Sequence, residues 1–268
     1  MTEADHAPDL AVALTTRDSM RTIEQALRSV EGLARRIVVV DSGSTDGTIE
    51  CCRRFGAEVL HREWDGPTSQ KQFAIDQCRD HRWVLLLDSD ETIEDELRQS
   101  ILQTITADDP AYVGWSLNRR VRFLGGWLHH TFQPEWRLRL VRGGRGKVVG
   151  IGPGGRGGHD RIVVEGKTGR LAGFAGHDSW ADLSELCRRN LELARRAAEH
   201  YPGGGTPFHI FLSPPAAMLK QYVLKRGFLD GWRGLIAAGA VASGTMLKHL
   251  FIAQRRAGLA PGESRRDA

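Results

Sequence analysis

Trp83-Val84-Leu85-Leu86-Leu87-Asp88-Ser89-Asp90-Glu91 is the stretch on which the reading of this chain turns. An unbroken apolar run leads directly into carboxylates at positions 88 and 90, with Glu91 following. Such a short apolar run suits a strand buried on both faces of a parallel sheet. Acidic side chains have no place in the middle of that strand, so Asp88 and Asp90 fall at its carboxyl end, where open α/β sheets bind ligands. Period-2 alternation through Ser89 lets both carboxylates turn toward one cation. Hard oxygen donors of this kind suit Mg²⁺ or Mn²⁺ shared with a substrate's phosphates. The same residues also fit a plainer reading, a solvated acidic turn before a helix whose first turn carries Glu91, Glu94, Asp95 and Glu96.

Upstream, the pattern repeats. Leu10-Ala11-Val12-Ala13-Leu14 reads as a buried strand ending in Thr15-Thr16-Arg17-Asp18-Ser19, with Asp18 or Ser19 available to cap a helix through Ile23, Ala26, Leu27 and Val30. Ile37-Val38-Val39-Val40 runs into Asp41-Ser42-Gly43-Ser44-Thr45-Asp46-Gly47-Thr48, where Ser44 or Thr45 would cap the next helix and Gly56 stops it. Glu58 to His61 is a third, shorter strand, and Ser69 to Asp80 has a helical pattern. This β-α-β-α rhythm predicts a doubly wound, mostly parallel sheet over residues 8–110. Thr15, Asp18, Asp41, Asp88 and Asp90 then form one polar rim along the carboxyl ends of its strands, the arrangement of a nucleotide site. Asp41 taken alone also suits an Asx turn. Neither a G-x-G-x-x-G nor a G-x-x-x-x-G-K-[ST] loop follows the first strand, so bound phosphates would need a metal to neutralise them.

After Pro110 the grammar changes. Tyr112 to Asn118 and Arg137 to Val141 alternate like half-exposed strands. Nine of the sixteen residues from 143 to 158 are glycine, which predicts a mobile loop rather than a core element. A helix is expected from Trp180 to Tyr201, with Leu183, Leu186, Cys187, Asn190, Leu191 and Ala194 on one side. Phe208 to Arg256 reads as two or three helices interrupted at Pro214-Pro215 and Gly227. The expected domains are 8–178, divided into a nucleotide-binding half (8–110) and an acceptor half (111–178), then a helical extension (179–256) and a disordered tail (257–268).

Charge divides along the same line. Residues 1–110 hold 12 Lys/Arg against 22 Asp/Glu, and residues 111–268 hold 25 against 11. An acidic first half suits a cation-dependent site, and a basic second half suits an anionic partner. Cys51, Cys52, Cys78 and Cys187 form no C-x-x-C pair, and adjacent cysteines make a poor disulfide framework, so buried thiols in a reducing compartment are expected. Met1 to Asp9 has no basic-then-apolar signal pattern. No run of 18 apolar residues occurs, and Leu235 to Leu247, at thirteen residues, is short of the roughly 20 that span a bilayer. Aromatics beside cations, as in Lys225-Arg226-Gly227-Phe228 and Trp232-Arg233, suit helices lying at an anionic headgroup surface instead.

The order strand–Thr-Thr-Arg-Asp, Val38-Val39-Val40-Asp41-Ser42-Gly43-Ser44-Thr45-Asp46-Gly47-Thr48, Gln70-Lys71, then Leu85-Leu86-Leu87-Asp88-Ser89-Asp90-Glu91 resembles the family 2 glycosyltransferases of GT-A fold. It is most similar to the small lipopolysaccharide-core branch with β-1,4-glucosyltransferase-type members. Trp64-Asp65-Gly66, Arg137-Leu138-Arg139-Leu140, His177 and Gly227-Phe228-Leu229-Asp230-Gly231 fit that branch too, and the likeness covers roughly residues 10–253. The resemblance implies a GT-A catalytic domain with a helical, basic C-terminal extension. It implies that Asp41 reads the uridine of a UDP-linked sugar, that Thr15, Thr16, Arg17 and Asp18 line the same pocket, and that Lys71 approaches the nucleotide. Asp88 and Asp90 match the family's D-x-D motif, with Asp90 as direct metal ligand and Asp88 at the ribose or a metal water. His177 matches a histidine that some members add to the metal. Two departures from the pattern bear on base and sugar preference: Arg17-Asp18 stand where Asn-Glu is commoner, and Gln72 replaces a usual Asn.

An inverting transfer needs a general base at the acceptor hydroxyl. The family's His-Glu pair is matched by His159-Asp160, which makes Asp160 the expected base and Glu135 the next candidate; an ordinary loop Asp fits the sequence at 160 equally well. The expected activity is transfer from a nucleoside-diphosphate sugar, with Mg²⁺ or Mn²⁺, to a lipopolysaccharide-core or other lipid-linked glycan. The expected location is the cytoplasm or, peripherally, the cytoplasmic face of the inner membrane. Expected partners are the nucleotide sugar, the glycan acceptor and an anionic membrane surface, with no nucleic acid. The rivals are a sugar-phosphate nucleotidyltransferase, which should carry a glycine-rich basic loop after the first strand, and a non-catalytic scaffold on the same fold.

Overall fold

The computed structural model describes residues 9–151, 159–201 and 203–258, so the expected tail beyond residue 258 lies outside the described residues. The chain forms two compact units. The first comprises the described residues within Met1–Val121, Pro134–Gly150 and His159–Ser179. The second comprises those within Arg122–Gln133, Ile151–Gly158 and Trp180–Ala268, so the segment 122–133 groups with the helices.

In the first unit, β1 (Leu10–Thr16), β2 (Arg36–Asp41), β3 (Glu58–His61) and β4 (Trp83–Asp88) pair in parallel in the order β3-β2-β1-β4. Strand β4 is central in the whole sheet, and Trp83 to Leu87 are all buried. Burying each such side chain contributes roughly 1.5–3 kcal/mol, so the position of the carboxyl end of β4 is strongly fixed. Helices α1 (Ile23–Val30), α2 (Thr48–Arg54) and α3 (Pro67–Asp76) provide the crossovers. One core layer gathers Leu10, Val12, Leu14, Ile23, Leu27 and Cys52, and the opposite layer gathers Ala11, Ala13, Val38, Ala74, Val84 and Leu86. Alternate residues of β1 therefore feed opposite faces, as a doubly covered sheet requires.

The sheet continues beyond β4 in mixed sense. After β5 (Glu91–Ile93) and α4 (Asp95–Ala107) come β6 (Tyr112–Phe123), β7 (Gly126–Trp127) and β8 (Trp136–Arg142). Strand β8 is antiparallel to both β4 and β6, and β11 (Lys167–His177) runs parallel to β6 while pairing antiparallel with β5. The mixed α/β class with a helical C-terminal extension is the one expected.

The glycine-rich segment is corrected in part. Lys147–Ile151 is strand β9 and His159–Val163 is strand β10, and the two pair as a two-stranded sheet. Val148 and Ile162 are buried in the second core layer, which supplies the apolar anchoring that glycine content alone conceals. Residues 152–158 lie outside the described residues. The expected caps are corrected as well. Asp18 and Ser19 do not cap α1, and Ser44 and Thr45 do not cap α2, whose N-cap is Gly47. Those polar side chains are used between loops instead.

In the second unit, α5 (Leu183–His200) starts at Asp182, whose carboxylate accepts from the Glu185 N–H while the Glu185 side chain accepts from the N–H of Ala181, one residue before the cap. Its buried side is Leu186, Ala194 and Ala198; Leu183, Leu191 and Cys187 are exposed, contrary to the expected stripe. Helix α6 (Pro207–Leu219) runs through Pro214 and Pro215 rather than breaking there. Each proline removes one N–H donor, but its fixed φ is helical. A π-type turn over Lys220–Leu224 and a 3₁₀ turn over Gly227–Asp230 lead into α7 (Gly231–Arg256). Helix α7 packs on both α5 and α6. The thirteen-residue apolar run thus sits inside a far longer helical stretch. Gly227–Arg256 spans 30 residues and contains an 18-residue window of mean hydropathy 1.5, long and apolar enough to cross a membrane by length and composition alone.

Candidate active site

The strand register assembles the polar rim. Thr16 is the neighbour of Asp41 across β1 and β2, and Thr15 is the neighbour of Asp88 across β1 and β4. The loops behind these ends are stitched together. Asp18 N–H donates to Ser44 Oγ and Thr45 N–H donates to Asp18 Oδ1, each at 2.8 Å, and Met20 N–H donates to Asp46 Oδ2 at 3.0 Å. Asp18 adopts φ +45° to make this connection. Asp41 is fully buried and accepts from the N–H groups of Gly43 and Ser44 and from Ser44 Oγ, so it does form the Asx turn that its position allowed. Arg17 projects into solvent, whereas Thr16 is buried with its hydroxyl unpartnered among the described residues.

Asp88 lies in a cluster of opposite charges. Its Oδ1 is 2.6 Å from Lys71 Nζ and its Oδ2 is 2.5 Å from Arg139 Nη2, with Arg119 Nη1 at 3.7 Å. Burial pushes its carboxyl pKa up, but Arg139, Lys71 and Arg119 outweigh burial and hold it well below the ordinary range. Behind it, fully buried Glu91 accepts from Arg119 at 2.8 Å and from Arg139 at 2.9 Å. Glu135 completes the group, accepting from Arg119 at 2.5 Å and from Arg137 at 2.8 Å. Burial raises the Glu135 pKa, and the two guanidiniums lower it more, to about 2.

Sequence reasoning missed Arg119, Arg139 and the buried role of Glu91. One signal was present: in Arg137-Leu138-Arg139-Leu140, period 2 sends both arginines to one side of a strand. Adjacent to an acidic rim, that side has carboxylates to meet.

Asp90 and His177 are brought together by β5 and β11, whose antiparallel register sets His177 opposite Glu91. Asp90 Oδ2 lies 3.6 Å from His177 Nε2, and the same nitrogen lies 2.6 Å from Ser179 Oγ. The Asp90 backbone carbonyl accepts from Asp178 N–H at 2.9 Å, fixing the turn. Burial raises the Asp90 pKa, and the neighbouring imidazole brings it below its ordinary value. Among the described residues, no three His, Cys, Asp or Glu side chains gather closely enough to hold a metal ion by themselves. The oxygen and imidazole donors of Asp90 and His177 nonetheless fit a cation whose remaining positions are filled by phosphates and water.

The last predicted residue, Asp160, stands on β10 and reaches the same cluster. Lys71 Nζ is 3.2 Å from its carboxylate, so one ammonium bridges Asp88 and Asp160. Lys71 leaves from α3 beside Gln70, which is itself buried and donates to Ser42 Oγ and the Arg62 carbonyl. The site thus draws its residues from β4, α3, β5, β6, β8, β10 and β11.

With this geometry in view, the chain matches the family model described as glycosyl transferase family 2 over residues 12–165. Among curated proteins it is similar to the lipopolysaccharide core biosynthesis glycosyltransferase LpsC of Rhizobium meliloti (strain 1021), 29% identical over 248 residues, covering 86% of this chain and 87% of that protein. Among solved structures it is similar to the mannosyltransferase PcManGT of Pyrobaculum calidifontis in complex with GDP-Man and Mn²⁺. That likeness is 16% identity and a TM-score of 0.43, covering 96% of this chain and 88% of the other. Glucosyl-3-phosphoglycerate synthase of Mycobacterium tuberculosis, in complex with Mn²⁺, UDP and glucosyl-3-phosphoglycerate, gives 22% identity and a TM-score of 0.35 over 44% of this chain and 46% of that one.

Proposed function

The chain belongs to glycosyl transferase family 2, and from that premise we propose that it is an inverting transferase that moves a sugar from a nucleoside diphosphate, UDP first among them, to a lipid-linked glycan of the lipopolysaccharide-core type. The observation that carries this reading is the Lys71 bridge, which joins the strand-end carboxylate Asp88 to the base candidate Asp160. Similarity to LpsC along most of both chains supports the acceptor class.

In this reading Thr15, Thr16, Arg17, Asp18 and Asp41 form the nucleotide pocket. The buried, unpartnered Thr16 hydroxyl is an available hydrogen-bonding group at its floor. Asp90 and His177, with Asp88 beside them, would hold Mg²⁺ or Mn²⁺, and when bound that cation neutralises the departing diphosphate. Asp88 is oriented by Arg139 and Lys71 before any substrate arrives, which lowers the reorganisation needed later.

Asp160 takes the acceptor's proton as the acceptor oxygen attacks the anomeric carbon and the sugar–phosphate bond breaks, so the electron pair leaves with the diphosphate. Lys71 keeps the Asp160 carboxylate occupied in the free enzyme. A donor diphosphate competes for the Lys71 ammonium, and its capture there releases Asp160 to act. Glu135 is a poor substitute, because a carboxyl pulled to about 2 by two arginines is a weak base.

The helices of residues 208–256 hold the enzyme peripherally at the cytoplasmic face of the inner membrane in this reading, where a lipid-linked acceptor would be presented. The test of function is a screen of nucleotide sugars with the purified full chain and Mg²⁺ or Mn²⁺, reading nucleoside-diphosphate release. Release from at least one donor, lost in Asp90→Ala and in Asp160→Asn, is expected. Release that both variants retain would overturn the assignment.

A further inference from the structure

We propose that the solvent-facing stripe of α6 is a lipid-docking surface that binds the interfacial region of an anionic bilayer, with the cations just past its C-terminus seated among the headgroups. This deepens the membrane element of the function reading and rests on it only for its biological setting.

Helix α6 departs from the soluble pattern. Phe208, Phe211, Leu212, Pro215, Ala216 and Leu219 are all exposed, and their spacing follows i, i+3, i+4, i+7, i+8, i+11. That is the period of one helix face. Phe208 is 68% exposed and Phe211 is 73% exposed, values at which a lone aromatic would be unremarkable but a continuous stripe is not. The opposite side, with Ile210, Pro214 and Ala217, is the more buried one and is the side available to α7. Residues 207–219 carry no Asp, Glu, Lys or Arg, so nothing on the helix itself makes the stripe soluble.

Charge decides the occupant. From Gly203 to Leu229 there is no acidic residue, while Lys220, Lys225 and Arg226 follow the stripe directly. Val223 and Leu224 are exposed between those cations, and Trp232 is exposed just beyond them. An apolar stripe ending in cations complements an acyl boundary topped by anionic headgroups. A second copy of this chain would bring an equally cationic, acid-free surface against the first.

The helix that is long enough to span, α7, is the less suited element. It packs along α5, which carries Glu185, Arg188, Arg189, Glu192, Arg195, Arg196 and Glu199. Asn190 of α5 donates to the Ala240 carbonyl of α7 at 3.0 Å, and Arg195 lies over Phe251. Burying α7 in hydrocarbon would drag that charged helix with it or strip it away. Lying flat on α6 requires neither.

The experiment is sedimentation of the full chain with phosphatidylcholine vesicles and with vesicles that include phosphatidylglycerol, at low and high salt. The expected result is co-sedimentation with the anionic vesicles only, weakened by salt. The double variant Phe211→Glu/Leu219→Glu should lose at least about tenfold in vesicle partitioning. Lys220→Glu/Arg226→Glu should lose about fivefold or more per cation replaced. Both pairs are on the surface, and unchanged far-UV circular dichroism and thermal midpoint confirm that they fold. Recovery of the wild-type chain in the supernatant with anionic lipid overturns the proposal. So does wild-type partitioning by Phe211→Glu/Leu219→Glu, or a wild-type dimer in light scattering that the same variant dissolves. Nucleotide binding in solution, followed on the same variants, separates the two claims: it is expected to persist when docking is lost, and its absence in the wild type would count against the function reading alone.

Discussion

The ammonium of Lys71 and the carboxylate of Asp160 meet at 3.2 Å although 89 positions separate them in the chain. The same ammonium holds Asp88 at 2.6 Å. In the proposed function this single cation between two carboxylates exchanges partners, because an incoming diphosphate would offer it more negative charge than either carboxylate does. Lys71→Met should therefore raise the donor KM by about tenfold or more, the loss of one charge-assisted contact. It should also lower kcat less than Asp160→Asn does. Steady-state kinetics with varied donor measures both, and an unchanged donor KM would contradict the exchange.

Removing the proposed base isolates the chemical step. Asp160→Asn keeps the shape of the side chain and its contact with Lys71 but cannot take a proton. Turnover is expected to fall by about 10²–10⁴-fold with donor binding nearly retained. Turnover within a few-fold of wild type places the base elsewhere.

Glu91 is fully buried and faces both Arg119 and Arg139. Glu91→Gln leaves those guanidiniums short of one negative charge, and breaking a buried pair in this way costs about 3–5 kcal/mol. Urea unfolding should show a loss of that size. A change under about 1 kcal/mol would mean that Asp88 and Glu135 compensate fully.

The acid limb of stability follows from the same cluster. Glu135 titrates at about 2 in the folded chain against an ordinary 4.5, and Asp88 is also held well below its ordinary value. Both groups favour the ionised form when folded. The Glu135 contribution is therefore complete above the unfolded value near 4.5 and is lost as the pH falls toward 2, and that of Asp88 is lost as the pH falls below its ordinary value of 3.8. For Glu135 this amounts to roughly 3 kcal/mol. Denaturant midpoints measured between pH 5 and pH 2 should fall less in Glu135→Gln than in the wild type.

Much of this was legible in the chain. The strands ending at Thr16, Asp41 and Asp88 announce themselves because a doubly covered parallel strand must be apolar throughout, so its first polar residue marks its end. Asp90 and His177 were named separately, but their approach depends on the three-residue strand β5 pairing with β11, a contact no local pattern encodes. The caps were misread because Asp18, Ser44 and Thr45 have helix-capping chemistry but find better partners in the neighbouring loop. Composition misled over residues 147–151 of the glycine-rich segment, where buried Val148 and, across the pair, Ile162 anchor two strands. Helix α6 was misread for a related reason: paired prolines forbid two hydrogen bonds without forbidding the helical φ. The arginines that neutralise the site were visible only as alternation, and their acidic partners lie on other strands.

In the proposed function the carboxyl end of β4 is where a nucleotide sugar is bound and activated. The most direct measurement of this is nucleoside-diphosphate release by the wild-type chain and by Asp90→Ala, each with its best donor and Mg²⁺ or Mn²⁺. Asp90→Ala should fold with a wild-type circular dichroism spectrum and lose turnover by about 10³-fold or more, together with metal-dependent nucleotide binding. Turnover by Asp90→Ala within a few-fold of the wild type would contradict it.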